Sequence, residues 1–351
     1  MPGAAAIIAP MAVTSSTASF TIVRDTAQPR DLQRAVIAIG NFDGVHRGHR
    51  AVIGKAIARA RALSVPAAAL TLEPHPRSYF RPNDPLFRLS DENQKLRLLA
   101  GTGLDGAIVL TFNAALANLP AGDFISRVLV DRFAVSGAVT GFDFHFGKDR
   151  GGSPAFLASE GKARGFPVDI VPALEDEGRP VSSGTIRAAL AAGQVVEAAE
   201  LLGYPWFVSG EVIHGEKRGR DLGFPTANLR LDPACLLKHG IYAVHVVLDG
   251  KHLDGVASFG RRPTFDNGAP LLEVFLFDFS ADLYGRRIDV AFVAWLRPEQ
   301  RFESAEALVA QMNRDGDRAR AALARAGTVV LPVPASNAAL QPDDAVPAKR
   351  P

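Results

Sequence analysis

Short apolar runs alternate with helix-like segments over the first half of the chain. The runs stand at 36–39, 67–70, 107–110, 138–140 and 168–171. Between the first two runs, apolar residues recur at the spacing of one helix face, at Val52, Ile53, Ala56, Ile57, Ala60 and Leu63. This alternation predicts a parallel sheet with crossover helices. The turn from His46 to His49 is then expected to join a strand to a helix.

After Pro205 the pattern is typical of strands. Five segments read as strands, at 207–213, 241–248, 252–259, 271–277 and 288–296, with Asp249-Gly250 as a hairpin turn. Apolar side chains alternate within the second of them, at Tyr242, Val244, Val246 and Leu248. An antiparallel sheet or barrel with one packed side is predicted. A closing helix is expected after Ser304.

These changes of pattern divide the chain into four parts. Residues 1–19 and 328–351 lack periodicity, and the second of these segments is rich in Pro and Ala, so both are expected to be disordered. The α/β module is predicted to span 20–203 and the β module 204–327. Two helices are expected before this boundary, one capped by Ser183 and stopped by Gly193, and a second from Val195 to Leu202 that ends at Gly203.

Composition narrows the function classes. The chain has 351 residues with 47% hydrophobic and 22% charged residues, as in an ordinary globular protein of two domains. The net charge is +2 and the basic residues form no stripe, so no nucleic-acid partner is expected. No apolar run is long enough to cross a bilayer, so no membrane partner is expected. Cys235 is the single cysteine, which excludes an internal disulfide and indicates the reducing cytoplasm. The oligomeric state stays open, a homo-oligomer included.

The first candidate site is the segment from Gly40 to His49. Asp43-Gly44 removes side-chain bulk at a strand-to-helix turn, where backbone amides and the helix N-terminus favour phosphate. His46 and His49 lie one turn apart, so both imidazoles face the same side and can each donate a hydrogen bond to phosphate. Partly buried packing histidines are the alternative.

The segment Phe42 to His49 resembles the His-x-Gly-His signature of the nucleotidyltransferase superfamily. The resemblance implies a binding site for ATP, in which the histidines stabilise the α- and β-phosphates. Its ATP-binding residues are then Asn41, Phe42, Asp43 and Gly44. The family's second signature is similar to 182–187, which implies that Ser182, Ser183 and Arg187 hold the outgoing phosphates, with Gly184 where relatives have Thr.

A third segment, 141–148, resembles an element of bacterial flavin-adenylating enzymes. The resemblance assigns Asp143 to the flavin substrate or a metal, with His145 where relatives commonly have Arg. Packing at a strand end is the competing interpretation for Phe142, Phe144 and Phe146. The dinucleotide-like spacing at 101–106 is rejected, because it precedes a strand instead of following one.

The second candidate site begins at Gly210 and runs to Leu229. Gly215, Gly219 and Gly223 would let backbone amides wrap a triphosphate, and Thr226 and Asn228 are neutral oxygen donors that suit hydrated Mg²⁺. A mobile surface loop is the alternative. The segment resembles the riboflavin kinase signature, which implies ATP and metal binding here.

The resemblance to riboflavin kinases extends to three later segments, at 240–242, 258–265 and 272–279. In the family a glutamate in the third of them is the general base, which falls on Glu273, with Phe275 where relatives commonly have His. Arg297 resembles the arginine that lies against the flavin ring, and capping of the next helix is its alternative.

Together the resemblances point to the bacterial bifunctional riboflavin kinase and FMN adenylyltransferase family. They imply a Rossmann-like α/β nucleotidyltransferase module, then a small antiparallel β-barrel kinase module with a C-terminal helix. The implied substrates are riboflavin, FMN and ATP, with Mg²⁺ as cofactor. Two rivals stay open because of Gly184, His145 and Phe275: a chain with one active module, and a flavin-binding module without catalysis.

Overall fold

The computed structural model describes residues 20–25, 30–176, 178–215, 224–261, 270–334 and 340–342. Contacts within the chain divide it into two compact units. Among the described residues, the parallel unit comprises 20–86, 90–181 and 332–342, and the barrel unit comprises 87–89 and 182–331. The predicted N-terminal tail, 1–19, lies outside the described residues.

The parallel unit is built on one seven-stranded sheet with the order β15-β1-β4-β3-β2-β5-β6. Its strands are β1 (Phe20–Arg24), β2 (Val36–Ile39), β3 (Ala67–Glu73), β4 (Gly106–Thr111), β5 (Gly137–Gly141), β6 (Val168–Val171) and β15 (Leu340–Pro342). All neighbouring pairs run parallel. The five predicted apolar runs are therefore confirmed as strands. A separate hairpin joins β7 (Glu175–Asp176) to β8 (Arg179–Pro180).

Helices connect these strands. They are α1 (Arg47–Leu63), α2 (Pro76–Phe80), α3 (Glu92–Ala100), α4 (Ala114–Ala117), α5 (Ala121–Asp123), which continues into a π-helical segment (Phe124–Arg132), a 3₁₀ turn (Lys148–Arg150) and α6 (Pro154–Ala163). Helix α1 buries Val52, Ile53, Ala56 and Ala60 against the sheet, as their spacing predicted. The motif from His46 to His49 does join a strand to a helix.

The barrel unit contains a six-stranded antiparallel sheet with the order β10-β13-β12-β11-β14-β9. Its elements are α7 (Ser183–Ala192), α8 (Val195–Leu202), β9 (Phe207–Glu211), β10 (Thr226–Arg230), β11 (Gly240–Leu248), β12 (Lys251–Arg261), β13 (Pro270–Leu276), β14 (Arg287–Arg297) and α9 (Ala305–Ala326). An isolated bridge between Ile213 and Asn228 links the chain after β9 to β10, so the barrel is nearly closed.

The two faces of the barrel sheet have different partners. Tyr242, Val244, Val246 and Leu248 are buried on the inner face, as predicted. On the outer face, α9 packs Ala319, Ala322 and Leu323 against a small cluster that includes Ala243 and Phe277. Helix α9 is capped by Ser304, so the predicted closing helix is confirmed.

Helices α7 and α8 fall in the barrel unit, although the predicted boundary lay after them, near Tyr204. The amide of Lys238 donates to the carbonyl of Leu190 at 3.1 Å, and α8 packs on β14. These tertiary contacts are invisible in a local pattern. Ser182, and not Ser183, caps α7, because its hydroxyl accepts from the amide of Thr185 at 3.1 Å. Gly193 ends the helix as expected.

The segment after α9 is ordered in part, which corrects the prediction of disorder for 328–351. Leu331 is buried, and β15 pairs in parallel with β1. A sheet edge offers unpaired backbone groups to any extended chain, whatever its side-chain periodicity. Residues 335–339 and 343–351 lie outside the described residues.

Candidate active sites

The loop after β2 has a backbone that few residues adopt without support. Phe42, Gly44 and Val45 have φ angles of 51°, 79° and 37°. Glycine adopts this region easily, whereas Phe and Val do so at a cost in free energy. Phe42 and Val45 are both buried, so surrounding contacts must hold the loop in this form.

The two predicted histidines are in direct contact. His46 caps α1, and its Nδ1 accepts a hydrogen bond from the amide of His49 at 3.3 Å. The two rings stack with centroids 3.6 Å apart and planes 20° apart, and Phe42 meets His49 edge-on at 5.3 Å. The two histidines therefore lie together at the N-terminus of α1.

His49 has a strongly altered acidity. Burial lowers its pKa well below the usual value, and the nearby His46 and Lys95 lower the pKa further. The ring is therefore neutral at pH 7, with one N–H to donate. Its Nδ1 is buried and has no hydrogen-bond partner among the described residues.

Ser90 holds the middle of the loop. Its amide donates to the carboxylate of Asp43 at 3.1 Å, and its hydroxyl accepts from the amide of Gly44 at 2.9 Å. Asp43 is buried. Asp43 and Gly44, two of the four residues of this loop predicted to bind ATP, thus contact Ser90 in this structure, and the Gly44 amide donates to its hydroxyl.

The start of the loop is held by a buried ion pair that the sequence did not reveal. The ammonium of Lys95 lies 2.6 Å from Glu73 Oε1 and 3.0 Å from Thr71 Oγ1. The carbonyl of Asn41 accepts from Lys95 Nζ at 3.4 Å and from Thr71 Oγ1 at 3.2 Å. Lys95 has 1% of its surface exposed, although a lysine in a polar helix normally indicates a solvated face.

Residues 40–49, here called the histidine loop, follow β2, where the order of the strands in the sheet reverses. From β2 the chain builds β3 and β4 on one side, and β5 and β6 on the other. Ligands of open parallel sheets bind at the carboxyl ends of strands at such a point. Asp143 follows β5, next to β2, and is exposed. The structure thus brings Asp143 to the same edge as the histidine pair.

The phenylalanines after β5 do not share one role. Phe146 is buried in the core of the parallel unit, where it stacks on Phe144 at 5.4 Å. Phe142 is 54% exposed. The packing interpretation therefore holds for Phe144 and Phe146. Nδ1 of the exposed His145 lies 2.9 Å from the carbonyl of Asp143.

A cluster of three aromatic rings at the same edge was missed by the sequence analysis. Tyr79 and Phe80, in the helix after β3, and Phe112, after β4, lie 5.3 to 5.6 Å from one another in edge-to-face pairs. Phe80 is 63% exposed. The signal available in the sequence was an aromatic residue close after each of two neighbouring strands, at Tyr79-Phe80 and at Phe112.

Three other predicted phosphate residues belong to the barrel unit. Ser182 caps α7, Ser183 is its first residue, and Arg187 follows one turn later. The Arg187 guanidinium donates through Nε to the carbonyl of Phe87. Gly184 is exposed, and a Cβ there would find Ser182 Oγ as its nearest neighbour at 3.6 Å.

Strand register assembles the second site. Asn228 on β10 lies opposite Glu273 on β13, and Glu273 lies opposite Ser258 on β12. The same row continues through Ile241 on β11 to Arg297 on β14. The predicted metal ligand, base and flavin contact therefore lie in one line across five strands.

Thr226 and Gly215 complete this site from both sides of Asn228. Thr226 lies two residues before Asn228 in β10, so both side chains face the same way. The Asn228 amide nitrogen donates to the Thr226 carbonyl at 3.2 Å, which leaves its oxygen as an acceptor. A Cβ on Gly215 would lie 2.5 Å from that nitrogen, so a side chain at this position would have to displace the Asn228 amide. Gly219 and Gly223 lie outside the described residues.

Arg297 has a protein partner in this structure. Its guanidinium makes a buried ion pair with Asp315 of α9, with Nε 2.9 Å from Oδ1 and Nη2 2.6 Å from Oδ2. Arg297 thus contacts the middle of α9 and does not cap its N-terminus, which was the alternative interpretation. Phe275 packs in the cluster beneath α9 and meets Phe224 edge-on at 5.0 Å.

The donor set at Thr226, Asn228 and Glu273 suits a hard cation, because all three offer oxygen. Groups of three or more His, Cys, Asp or Glu side chains that could hold a metal alone are absent from the described part of the chain. A cation here would therefore take most of its ligands from phosphate and water. Separately, none of the described helices has the length and apolar character needed to cross a bilayer.

Two family models match the chain. An FAD synthetase model matches residues 28–185, and a riboflavin kinase model matches residues 202–323. A bifunctional riboflavin kinase/FMN adenylyltransferase of Pseudomonas fluorescens is 43% identical over 302 residues, which cover 86% of this chain and 97% of the relative. The enzyme of the same description from Escherichia coli K12 is 41% identical over 286 residues, covering 81% of this chain and 91% of the relative.

A solved structure has the same fold over most of the chain. It is described as a macrolide-efflux protein from Streptococcus pneumoniae, is 31% identical and superposes with a TM-score of 0.76. The superposition covers 85% of this chain and 98% of that one. Both family models, the two full-length relatives and this fold agree, and the chain belongs to the family of bifunctional riboflavin kinases and FMN adenylyltransferases.

Proposed function

We propose that this protein makes FAD from riboflavin in two steps, at the two sites described above. In the barrel unit, riboflavin and ATP would give FMN and ADP. In the second step FMN and ATP would give FAD and pyrophosphate, with the histidine loop of the parallel unit binding the reacting phosphates. Membership of the family supports both reactions, and the geometry of each site supports the residue roles.

The observation that carries the kinase assignment is the position of Glu273 directly opposite Asn228. Glu273 accepts the proton of the flavin's ribityl hydroxyl as that oxygen attacks the γ-phosphorus. Thr226 and Asn228 would hold Mg²⁺, which would neutralise charge on the phosphates. Base and metal ligands thus face the same transferring phosphoryl group.

The same row explains how a flavin would be oriented. Arg297 lies three strands from Glu273, a distance of about 14 Å at the usual strand spacing. That span suits a ring system at one end and a ribityl hydroxyl at the other. The ion pair with Asp315 fixes the guanidinium, whose flat face then stacks on the ring.

In the adenylylating step, His46 and His49 donate hydrogen bonds to the α- and β-phosphates of ATP. A phosphate oxygen of FMN attacks the α-phosphorus, and pyrophosphate leaves. The resemblance of 182–187 to the second signature of the family supports a role of Ser182, Ser183 and Arg187 in binding the outgoing pyrophosphate. Asp143 and the aromatic cluster of Tyr79, Phe80 and Phe112 contact the flavin, because they lie at the same edge of the sheet and expose planar surface.

Mg²⁺ at both steps, action in the cytoplasm and the absence of nucleic-acid and membrane partners remain predictions, and the oligomeric state stays open. Gly215 supports Asn228 by its lack of a side chain. Cys235 takes no part in the chemistry, since it is buried and burial raises its thiol pKa to about 11.

The overall proposal is tested by supplying the protein with riboflavin and MgATP and separating the flavins over time. FMN should appear first and FAD later, with ADP and pyrophosphate as co-products. A mixture that stops at FMN would remove the adenylylating step, and flavin binding without ATP turnover would leave only a binding module.

Two variants assign the steps to their sites. Glu273→Ala should abolish FMN formation while supplied FMN still becomes FAD. His49→Ala should do the reverse, with FAD formation reduced about 10²-fold or more and FMN formation unchanged. Equal losses of both activities in either variant would contradict the separate assignment.

A further inference from the structure

Lys95 is a buried cation beside the histidine loop, and it has no role in the reaction steps proposed above. It lies on α3, 49 residues after His46 in the chain, and its side chain is 1% exposed. Four oxygens surround its ammonium: Glu73 Oε1 at 2.6 Å, Thr71 Oγ1 at 3.0 Å, Asn41 O at 3.4 Å and Leu72 O at 3.5 Å.

We propose that Lys95 is a positioning residue for adenylyl transfer, which holds the carbonyl of Asn41 and so fixes the start of the histidine loop. The inference rests on the proposed role of the histidine loop. Lys95 itself need not touch a substrate: it acts through Asn41 and His49.

The mechanical part of this role follows from the backbone. The loop has Phe42 and Val45 at positive φ, a form that persists only where neighbours impose it. Thr71 and Lys95 fix the carbonyl of Asn41, immediately before the first of these residues. Replacing a whole buried ion pair by apolar groups can be neutral, but removing one partner leaves the other charge buried and uncompensated, which is strongly destabilising. Loss of Lys95 should therefore release the loop and also lower the stability of the parallel unit, because Glu73 loses its partner.

The electrostatic part follows from the surroundings of His49. Besides Lys95, the charged or titratable groups of this corner are His46, stacked on the ring, Glu73, bound to Lys95, and Asp43, bound to Ser90. Arg50 follows in the helix and donates to the carbonyl of Val45. Positive charge from Lys95 lowers the pKa of His49, and so favours the neutral ring.

Lys95→Met removes the charge and keeps the length of the side chain. FAD formation from FMN and MgATP should fall about 10²-fold, as expected when a binding loop is displaced by roughly 1 Å. Riboflavin kinase activity of the same protein should stay unchanged, because that site lies in the barrel unit, and the circular dichroism spectrum and Tm report whether the parallel unit is folded. The matched control is Lys162→Met, at an exposed site of α6, which should leave both activities unchanged.

The titration of His49 separates charge from packing. Its imidazole signals are identified by their loss in His49→Ala and followed by NMR against pH in the free protein. Lys95→Met should raise the pKa of His49, because a nearby positive charge is lost. Glu73→Gln keeps an acceptor for Lys95 but removes a negative charge, so it should lower the pKa of His49 further. A packing role alone gives no such opposite shifts.

Each result has a defined meaning. The proposal fails if Lys95→Met retains FAD formation within about twofold, below the worth of one hydrogen bond, or if the pKa of His49 does not rise. Should Lys95→Met not fold, Glu73→Gln decides, and an unchanged or raised pKa of His49 overturns the proposal. If His49→Ala itself retains FAD formation, the proposed site is wrong. Loss in His49→Ala without loss in Lys95→Met removes only the role of Lys95.

Discussion

The two sites of this protein are assembled in different ways. In the parallel unit the recognised residues are nearly contiguous, from Asn41 to His49, and one strand-to-helix turn brings them together. In the barrel unit, Asn228, Glu273 and Arg297 come from three strands separated by 45 and 24 residues along the chain, and only register aligns them. A contiguous motif carries its geometry locally, whereas a register site depends on the whole sheet.

The sites also differ in what supports them. The histidine loop is buried and held from below by Ser90 and by the Lys95–Glu73 ion pair. The barrel row lies on an outer sheet face, where Glu273 is partly exposed and the ion pair of Arg297 with Asp315 closes one end. Activity at the first site should therefore be sensitive to loss of the residues that hold the histidine loop. Activity at the second site should be sensitive to the spacing between neighbouring segments of the barrel unit.

The largest expected effect among these tests concerns the support of the histidine loop. Ser90→Ala removes the hydroxyl that accepts from the amide of Gly44, so the loop loses its central contact. We expect FAD formation to fall about 10²-fold and FMN formation to stay unchanged. Ser126→Ala is the control, since that hydroxyl bonds only to Gly122 and Asp123 of its own helical segment. Equal activities in the two variants would show that the loop holds its form without Ser90.

Spacing in the barrel row is tested by Gly215→Ala. The added methyl would lie 2.5 Å from the Asn228 amide nitrogen and must displace that side chain. FMN formation should fall about tenfold, the worth of one displaced polar contact, while supplied FMN still becomes FAD. In the control, Gly316→Ala, the methyl meets only Phe277 at 3.8 Å. A normal kinase rate in Gly215→Ala would mean that Asn228 needs no fixed position.

The pH dependence of stability distinguishes the buried histidine from exposed ones. The folded pKa of His49 lies below its unfolded value, so the unfolded chain binds the proton that the folded chain lacks at low pH. This stability is fully present above about pH 6.5 and is lost below it, at up to about 1.4 kcal/mol per pH unit.

Thermal unfolding of the wild type and of His49→Gln between pH 7.5 and 5.5 checks this expectation. The difference in Tm between the two proteins should shrink as the pH falls. His252→Gln, at an exposed position of β12, should follow the wild type throughout. A constant difference between the wild type and His49→Gln would place the folded pKa of His49 at its ordinary value.

The smallest expected effect is that of Gly184→Thr. The space around Gly184 is open, with no backbone strain, so the side chain that relatives carry can be accommodated. The new hydroxyl at the start of α7 should raise FAD formation by about threefold, within the worth of one hydrogen bond. A large loss would show that another group already occupies this space.

Several features were predictable because they are local. The apolar runs of β2 to β6, the face of α1 and the alternation within β11 follow from one or two turns of pattern. Strand β10 was not predicted, because the glycine-rich segment before it resembles a loop. Strand β15 was not predicted either, because an edge strand requires only backbone pairing and no side-chain pattern.

The sequence by itself determined the classes of the two units, the family and the chemical character of His46, His49, Thr226, Asn228 and Glu273. Those properties depend on which residue types occur within a few positions of one another in the sequence. Tertiary structure alone decided that Lys95 is buried, that α7 and α8 belong to the barrel unit, and that Asn228 faces Glu273. Burial, charge neighbours and register are set by chain segments far apart in sequence, and the free energy that fixes them exists only once those segments meet.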